Sequence, residues 1–389
     1  MKIKSIKADW IHVPIPESKQ HTSDFGPSRS FDCTLVRIET ECGIIGVGEA
    51  KTAVGSSGDN TALPVLIQDE IGPRLIGQDP RDISRLWDVM YNGTRAHFAI
   101  SRGHAFPALG RRGLHLSAMS GIDIALWDIL GKSLGVPVWR LLGGRRQEKM
   151  PAYASGGWAP VDGIVKELQG FIDHGNFRAV KMRVGAGDGT LNHSIARVKA
   201  AREGLGPDID IMCDAHGTFT VAEAKRFCRG VADCNIAWFE EPVIADNKPG
   251  LAEVRASTDI PISTGESEFT RFAFRDLVQL SAADILQPDL AIVGGITEGL
   301  RIEALCSAYQ LQFAAHLWGG APCFAAGLQV SAVATSAFIL EYSLGANPML
   351  HDLIEESFAP TDGHIEIPDR PGLGITLNME FVEKHRVTR

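Results

Sequence analysis

The sequence predicts an α/β protein in which a parallel barrel follows a smaller α+β unit, and three observations carry that reading. From about residue 150 onward, short apolar runs that each end in a polar residue alternate with helical stretches, the pattern of parallel strands joined by crossover helices. The terminal residues Asp214, Glu240, Glu266, Asp289 and His316 are separated by 26, 26, 23 and 27 residues, each interval about one strand-plus-helix unit long. Before residue 150 the rhythm differs, strand signals giving way to helical periodicity.

In chain order, Trp10-Ile11-His12-Val13 reads as a strand, and in CTLVRIETECGIIGVGEA the apolar stretches 35–38 and 44–47 flank a polar turn at Glu41-Cys42-Gly43, which predicts a hairpin. Residues 60–135 turn helical; Ile122, Ala125, Leu126, Ile129 and Leu130 fall on one stripe until Gly135 and Pro137 stop it. PAYASGGWAP should end the first barrel strand, so that Tyr153 and Trp158 either line a pocket or pack in the core. FRAVKMRVG, DIDIMCDAHG, NIAWFEEP, DIPISTGE, ADILQPD and LQFAAHLWGG supply the strands that follow. No long Pro/Ser linker or low-complexity segment intervenes, so the two parts should pack together rather than be tethered.

Composition narrows the function. With 389 residues, 44% hydrophobic and 22% charged, the chain can bury a large core. A net charge of −9 leaves no basic stripe to collect phosphates, which argues against nucleic acid or an anionic membrane as partner. The opening MKIKSIKADW lacks the apolar core of a signal peptide, and no apolar run is long enough to span a bilayer, so a cytoplasmic protein is expected. The seven cysteines, at 33, 42, 213, 228, 234, 306 and 323, form no C-x-x-C pair, which suits a reducing compartment and excludes the usual zinc spacings. Cys213 has no histidine beside it to make it a nucleophile. Gly185-Ala186-Gly187-Asp188-Gly189 has the wrong spacing for a dinucleotide loop.

In a parallel barrel the C-terminal strand ends converge, so polar residues that close successive strands point into one bowl. A solvated loop acid explains any one of Asp214, Glu240 or Glu266, but three in phase would repel one another strongly unless a cation sits between them. Oxygen-only ligation favours Mg²⁺ over zinc. Asp289 and His316 close the next two strands, where carboxylate and imidazole can meet, fixing the tautomer and raising the basicity a general base needs. Glu241, beside Glu240, should point away from the bowl if the strand persists.

Lys181-Met182-Arg183, Asp214-Ala215-His216, Phe239-Glu240-Glu241-Pro242, Thr264-Gly265-Glu266, Gln287-Pro288-Asp289 and His316 resemble the enolase superfamily, mandelate racemase group. Gly46-Val47-Gly48-Glu49 and the helix segment Ile122-Asp123-Ile124-Ala125-Leu126-Trp127-Asp128 extend the resemblance over nearly the whole chain. It implies a modified (β/α)7β TIM-type barrel over residues 131–355 and an α+β capping domain over 1–130, completed by 356–389. It further implies one Mg²⁺ per subunit on Asp214, Glu240 and Glu266, holding a substrate carboxylate so that the enediolate left by proton abstraction is stabilised. Glu341, in SAFILEYS, stands where the family has a carboxylic acid that hydrogen-bonds the enediolate; the alternative is an exposed helix-end glutamate. A capping loop over residues 21–29 would select the substrate, with Arg29 contacting its distal end, and the assembly would be a symmetric homo-oligomer.

Two departures narrow the reaction. Where many relatives have Lys-x-Lys, with the second lysine as base, this chain has Lys181-x-Arg183, and a guanidinium stays protonated at any working pH. Where many have Asp-x-Asn, this one has Asp214-x-His216, resembling galactonate- and mannonate-type dehydratases in which the histidine is the acid for the leaving hydroxide. A racemase needs a base on each face of the carbon, whereas a dehydratase manages with one base and one acid. The expectation is therefore a Mg²⁺-dependent aldonate or aldarate dehydratase acting on a small-molecule sugar acid and yielding a 2-keto-3-deoxy acid. His316 is its base, oriented by Asp289, and His216 its acid; Lys181 and Arg183 supply positive potential to the substrate carboxylate. Were Lys181 a second base, an epimerase, racemase or lactone cycloisomerase would result, and a non-catalytic metal-binding scaffold is the reading outside enzymes.

Overall fold

A computed structural model describes residues 1–20, 22–23, 26–52, 60–105, 112–345 and 347–388. Strands β1 (Ile3–Pro14), β2 (Ser30–Thr40) and β3 (Ile45–Ala50) form an antiparallel sheet in the order β1-β2-β3. The predicted hairpin is β2–β3, turning at Gly43 with φ +85°.

The helix Leu114–Leu134 crosses this sheet and ends at Gly135, φ +69°. Sequence periodicity suggests one apolar stripe, yet 15 of its residues are buried, because it is wedged between sheet and barrel. Ile122, Ala125, Leu126 and Ile129 pack with Val36, Ile38 and Ala50 of the sheet, while Ile124 belongs to the barrel core. The sheet lies on the helix backbone itself: a Cβ at Gly48 would come within 2.0 Å of the Gly121 carbonyl oxygen, and one at Gly46 within 2.2 Å of that of Ala125.

Eight parallel strands make the barrel among the described residues: β4 (Lys149–Gly156), β5 (Ala179–Arg183), β6 (Asp210–Asp214), β7 (Ile236–Glu240), β8 (Ile262–Thr264), β9 (Ile285–Leu286), β10 (Gln312–Phe313) and β11 (Leu340–Ser343). The order runs β10-β9-β8-β7-β6-β5-β4-β11, and a parallel bridge from Phe313 to Ala337 closes the ring, with the Phe313 N–H donating to the Ser336 carbonyl at 3.0 Å. Seven crossover helices, from Ile164–Gly175 to Ala321–Val333, join them, so the (β/α)7β expectation is met. Strand β11 is the element that sequence patterning did not yield; SAFILEYS alternates poorly and carries a glutamate at its centre.

Because side chains alternate along a strand, the barrel interior is layered. Tyr153, Ala179, Met212, Trp238, Ile285 and Ala314 form an apolar plug. Two residues further along the same strands, the next layer is Ser155, Lys181, Asp214, Glu240, Gln287 and His316, all polar and all buried. After the barrel, the strand His364–Glu366 pairs with β4, and the helix Met379–His385 returns to the capping sheet, where Val382 packs with Ile11 and Val13. Six of the seven cysteines are buried. No helix of the described residues is long and apolar enough to cross a membrane.

Candidate active site

Asp214 and Glu240 end β6 and β7 and are paired in register, with Arg183 and Ser263 as their outer neighbours. Glu266 lies just beyond β8, after Gly265 at φ +134°. Their candidate ligand oxygens all fall within 4.8 Å of one another, and none of the three residues exceeds 3% exposure. Glu240 is fixed by donors on both oxygens: Lys181 Nζ at 2.5 Å on Oε1, Trp238 Nε1 at 3.0 Å and Gln287 Nε2 at 2.8 Å on Oε2. Burial, the largest single effect, pushes its carboxyl pKa up, but Lys181, Arg183 and the Gln287 hydrogen bond together hold it below the ordinary value. Three converging carboxylates with no nitrogen or sulfur donor fit a hard divalent cation, and Mg²⁺ in particular.

On the other side of the bowl, His316 Nδ1 is 2.8 Å from Asp289 Oδ2, which directs Nε2 toward the carboxylates, 3.5 Å from Glu266 and 3.9 Å from Glu341. Burial opposes protonation of the ring, but Glu266, Glu341 and Asp289 overcome it and raise its pKa above that of an ordinary histidine. Asp289 is itself fixed, Oδ1 accepting from the Ala291 N–H at 2.8 Å.

Lys181 bridges the halves, reaching Glu240, Asp214 at 3.5 Å and Glu341 at 3.1 Å. Although burial disfavours its charge, Glu240 and Glu341 keep it firmly protonated. Glu341 is fully buried in β11 rather than exposed at a helix end. It accepts from Ser155 Oγ at 2.7 Å and the Leu317 N–H at 2.9 Å; burial, the largest single effect, raises its pKa, but Lys181, His316 and Arg183 together pull it well below the carboxylate range. Arg183 contacts Asp214 and stacks 5.3 Å over the Trp318 ring. His216 leaves β6 in a left-handed turn, φ +45°; its N–H donates to Asp214 Oδ1 at 3.0 Å and its Nε2 lies 3.4 Å from Oδ2.

The structure separates the remaining candidates. Tyr153 is 1% exposed and belongs to the apolar plug, edge-on to Trp238 and one layer below the polar one, so it packs the core instead of lining a sugar pocket. Trp158 is half-buried and meets Trp318 edge-to-face at 5.8 Å, extending the wall that Arg183 stacks on. Arg29 is exposed, and among the described contacts its carbonyl accepts from the Ile15 N–H; the bowl gains no described contact from it. Residues 21, 24 and 25 of the proposed selecting loop lie outside the described residues. Glu241 leaves the strand at φ +40° and stays buried, its pKa raised by desolvation and by Glu266.

Two residues on the capping side escaped the sequence reading. Glu49 accepts from the N–H groups of Gly320 at 2.9 Å and Cys323 at 3.1 Å, at the start of the helix Ala321–Val333. Lys51, the first residue past β3, places Nζ 2.5 Å from Asp289 Oδ2 and donates to the Trp318 carbonyl at 2.9 Å, with 2% exposure. A lysine ending an apolar hairpin strand in GVGEAK was the available signal.

Known proteins resemble the chain over nearly its whole length. Residues 11–143 match the mandelate racemase / muconate lactonizing enzyme N-terminal domain, and residues 163–381 the enolase C-terminal domain-like family. D-galactarolactone cycloisomerase of Agrobacterium fabrum is 35% identical over 100% of this chain and 99% of its own. D-galactonate dehydratase of Variovorax paradoxus is 35% identical over 94% of this chain and 93% of its own. A crystal structure of a racemase from Streptomyces coelicolor with bound magnesium superposes with a TM-score of 0.86 at 30% identity, covering 99% of this chain and 100% of that one. The chain belongs to the mandelate racemase group of the enolase superfamily.

Proposed function

We propose that the protein is a Mg²⁺-dependent hydro-lyase that dehydrates an aldonate or aldarate to a 2-keto-3-deoxy acid. The observation that carries this reading is the asymmetry of the bowl: one imidazole, His316, is backed by a carboxylate, Asp289, while a second, His216, stands on the Asp214 side, and a guanidinium, Arg183, occupies the place of a second lysine base. Relatives named as galactonate, arabinonate and xylonate dehydratases support it.

Asp214, Glu240 and Glu266 would hold the cation, which when bound supplies charge neutralisation to the substrate carboxylate and so acidifies the adjacent C–H. His316 Nε2 takes that proton, its ring held by Asp289. Arg183 and Lys181 face the substrate carboxylate with positive charge. Glu341, 3.1 Å from Lys181, lies beside the place where the enediolate would form; protonated from solvent on substrate binding, it would donate a hydrogen bond to an enediolate oxygen. His216 protonates the departing 3-hydroxyl from the Asp214 side.

A second reading, lactone cycloisomerase, is favoured by the full-length similarity to the Agrobacterium enzyme; it shares base and cation but retains all substrate oxygens. The test is to incubate the protein and Mg²⁺ with stereochemically diverse aldonates, aldarates and their lactones, trapping 2-keto acids with semicarbazide. A 2-keto acid trapped from an open-chain acid with loss of one water establishes the lyase and names the sugar. A 2-keto acid formed from a lactone at unchanged mass, by expulsion of the ring oxygen, establishes the cycloisomerase, and α-deuterium exchange with no 2-keto product from any substrate establishes an epimerase instead.

A further inference from the structure

We propose that Lys51 is a positioning residue for the base: it clamps Asp289 from the capping side and thereby fixes the ring of His316. The inference rests on the reading of His316 as the base.

Asp289 Oδ2 takes both Lys51 Nζ, at 2.5 Å, and His316 Nδ1, at 2.8 Å. The carboxylate of an aspartate turns easily about its last bond, and its partners here divide between the two oxygens: Oδ1 takes the Ala291 N–H at 2.8 Å and faces Cys323 Sγ at 3.6 Å, while Oδ2 takes the imidazole and Lys51. Lys51 is the charged partner on the oxygen that meets the ring, and it sets the plane in which that oxygen meets Nδ1. An imidazole that donates Nδ1–H to that oxygen keeps Nε2 free to accept a proton.

Lys51 is itself doubly held. Its Nζ also donates to the carbonyl of Trp318, two residues past His316, while Glu49, two residues earlier and within β3, anchors the first turn of the helix that follows. The end of β3 thus grips the base from both sides: through the partner of its ring and through the backbone immediately after it. Lys51 and Asp289 are 2% and 0% exposed. Buried ion pairs seldom add stability over an apolar pair of similar volume, so stability alone does not account for this one. Its consequence is that seating the capping sheet and aligning the base are one event.

The test compares Lys51→Met, Lys51→Arg, Asp289→Asn and the Lys51→Met/Asp289→Asn double variant in the full chain with Mg²⁺. Lys51→Met should lower kcat by about 10- to 100-fold, the range for losing an outer partner that orients a working histidine, with KM and Mg²⁺ affinity near wild type. Lys51→Arg should recover most of the loss, and the losses of Lys51→Met and Asp289→Asn should not multiply in the double variant. Nitrogen-15 NMR of ring-labelled histidine, with His316 identified by its disappearance in His316→Asn, should show a single Nδ1–H tautomer in the wild type and a mixture in Lys51→Met. Multiplying losses, a loss carried by KM or by metal affinity, or an unchanged kcat and tautomer overturn the proposal. The NMR readout needs no substrate: a protein silent toward every acid sugar with a Lys51-dependent tautomer rejects the proposed function alone. If Lys51→Met does not fold, the double variant, which removes both charges, is compared with Asp289→Asn.

Discussion

His316 Nδ1 and Asp289 Oδ2 sit 2.8 Å apart, and neither side chain is more than 4% exposed. A base so placed has one tautomer available for proton abstraction. His316→Asn should abolish exchange of the substrate α-proton with D₂O while calorimetry still registers Mg²⁺ binding. Asp289→Asn should slow exchange by about 10²- to 10⁴-fold, the usual worth of positioned general-base catalysis. Exchange that survives in His316→Asn would move the base to Lys181.

His216 is separable from the base. Its residue stands at φ +45°, a conformation asparagine tolerates, so His216→Asn preserves the turn and removes only the imidazole. Exchange at the α-carbon should persist while formation of the 2-keto acid drops sharply. Equal loss of both would leave the acid role without support.

Removal of divalent cation should be felt in stability as well as in turnover. Asp214, Glu240 and Glu266 bring ligand oxygens within 4.8 Å of one another in a buried bowl, and a ligand that binds only the folded state stabilises it by about 2.7 kcal/mol at a hundred times its Kd. EDTA should abolish activity and lower Tm, Mg²⁺ should restore both, and Glu266→Gln should blunt the Mg²⁺-dependent rise in Tm. A Tm indifferent to Mg²⁺ would contradict the cation site.

Much of this site is legible in the sequence because a parallel barrel turns chain spacing into geometry: Asp214 and Glu240 close their strands, Glu266, Asp289 and His316 follow theirs directly, and strands one crossover apart are neighbours. What was not legible follows from contacts that spacing does not encode. Lys51 reaches Asp289 across 238 positions in sequence, from another sheet. Tyr153 is two residues from the polar layer, and a shift of two along a strand exchanges the bowl for the plug without changing face. Strand β11 buries Glu341 and Ser343 among its four residues, so the polar residue that closes an apolar run elsewhere falls inside the strand.

The register of the capping sheet on its helix offers a test far from the chemistry. A Cβ at Gly48 would meet the Gly121 carbonyl oxygen at 2.0 Å and the Ala125 nitrogen at 2.9 Å; both are backbone atoms with no rotamer to yield. Gly48→Ala should destabilise the fold by roughly 1–3 kcal/mol, as overpacking does. It should also lower kcat, because Glu49 and Lys51 follow directly and hold the backbone around the base. Chemical denaturation and turnover measured together check this; a stable, fully active variant would mean that sheet and helix can separate without disturbing the bowl.

Asp123 predicts a pH dependence of stability with a definite sign. It is fully buried in the helix Leu114–Leu134 and accepts from Thr297 N–H at 2.9 Å and Oγ1 at 2.6 Å, at the start of the helix Gly295–Tyr309. Burial raises its pKa to about 7, outweighing the hydrogen bonds from Thr297 that lower it. The unfolded carboxyl titrates near 3.8, so between those values the folded state binds the extra proton, and stability falls as pH rises. Across the whole window the loss is on the order of 4 kcal/mol. Asp123→Asn is neutral throughout and keeps an oxygen for the Thr297 N–H, so its unfolding free energy relative to wild type should increase from pH 5 to pH 8. Guanidinium unfolding of both proteins at the two pH values measures that difference, and a difference that stays constant would show that Asp123 is already ionised in the fold at pH 5.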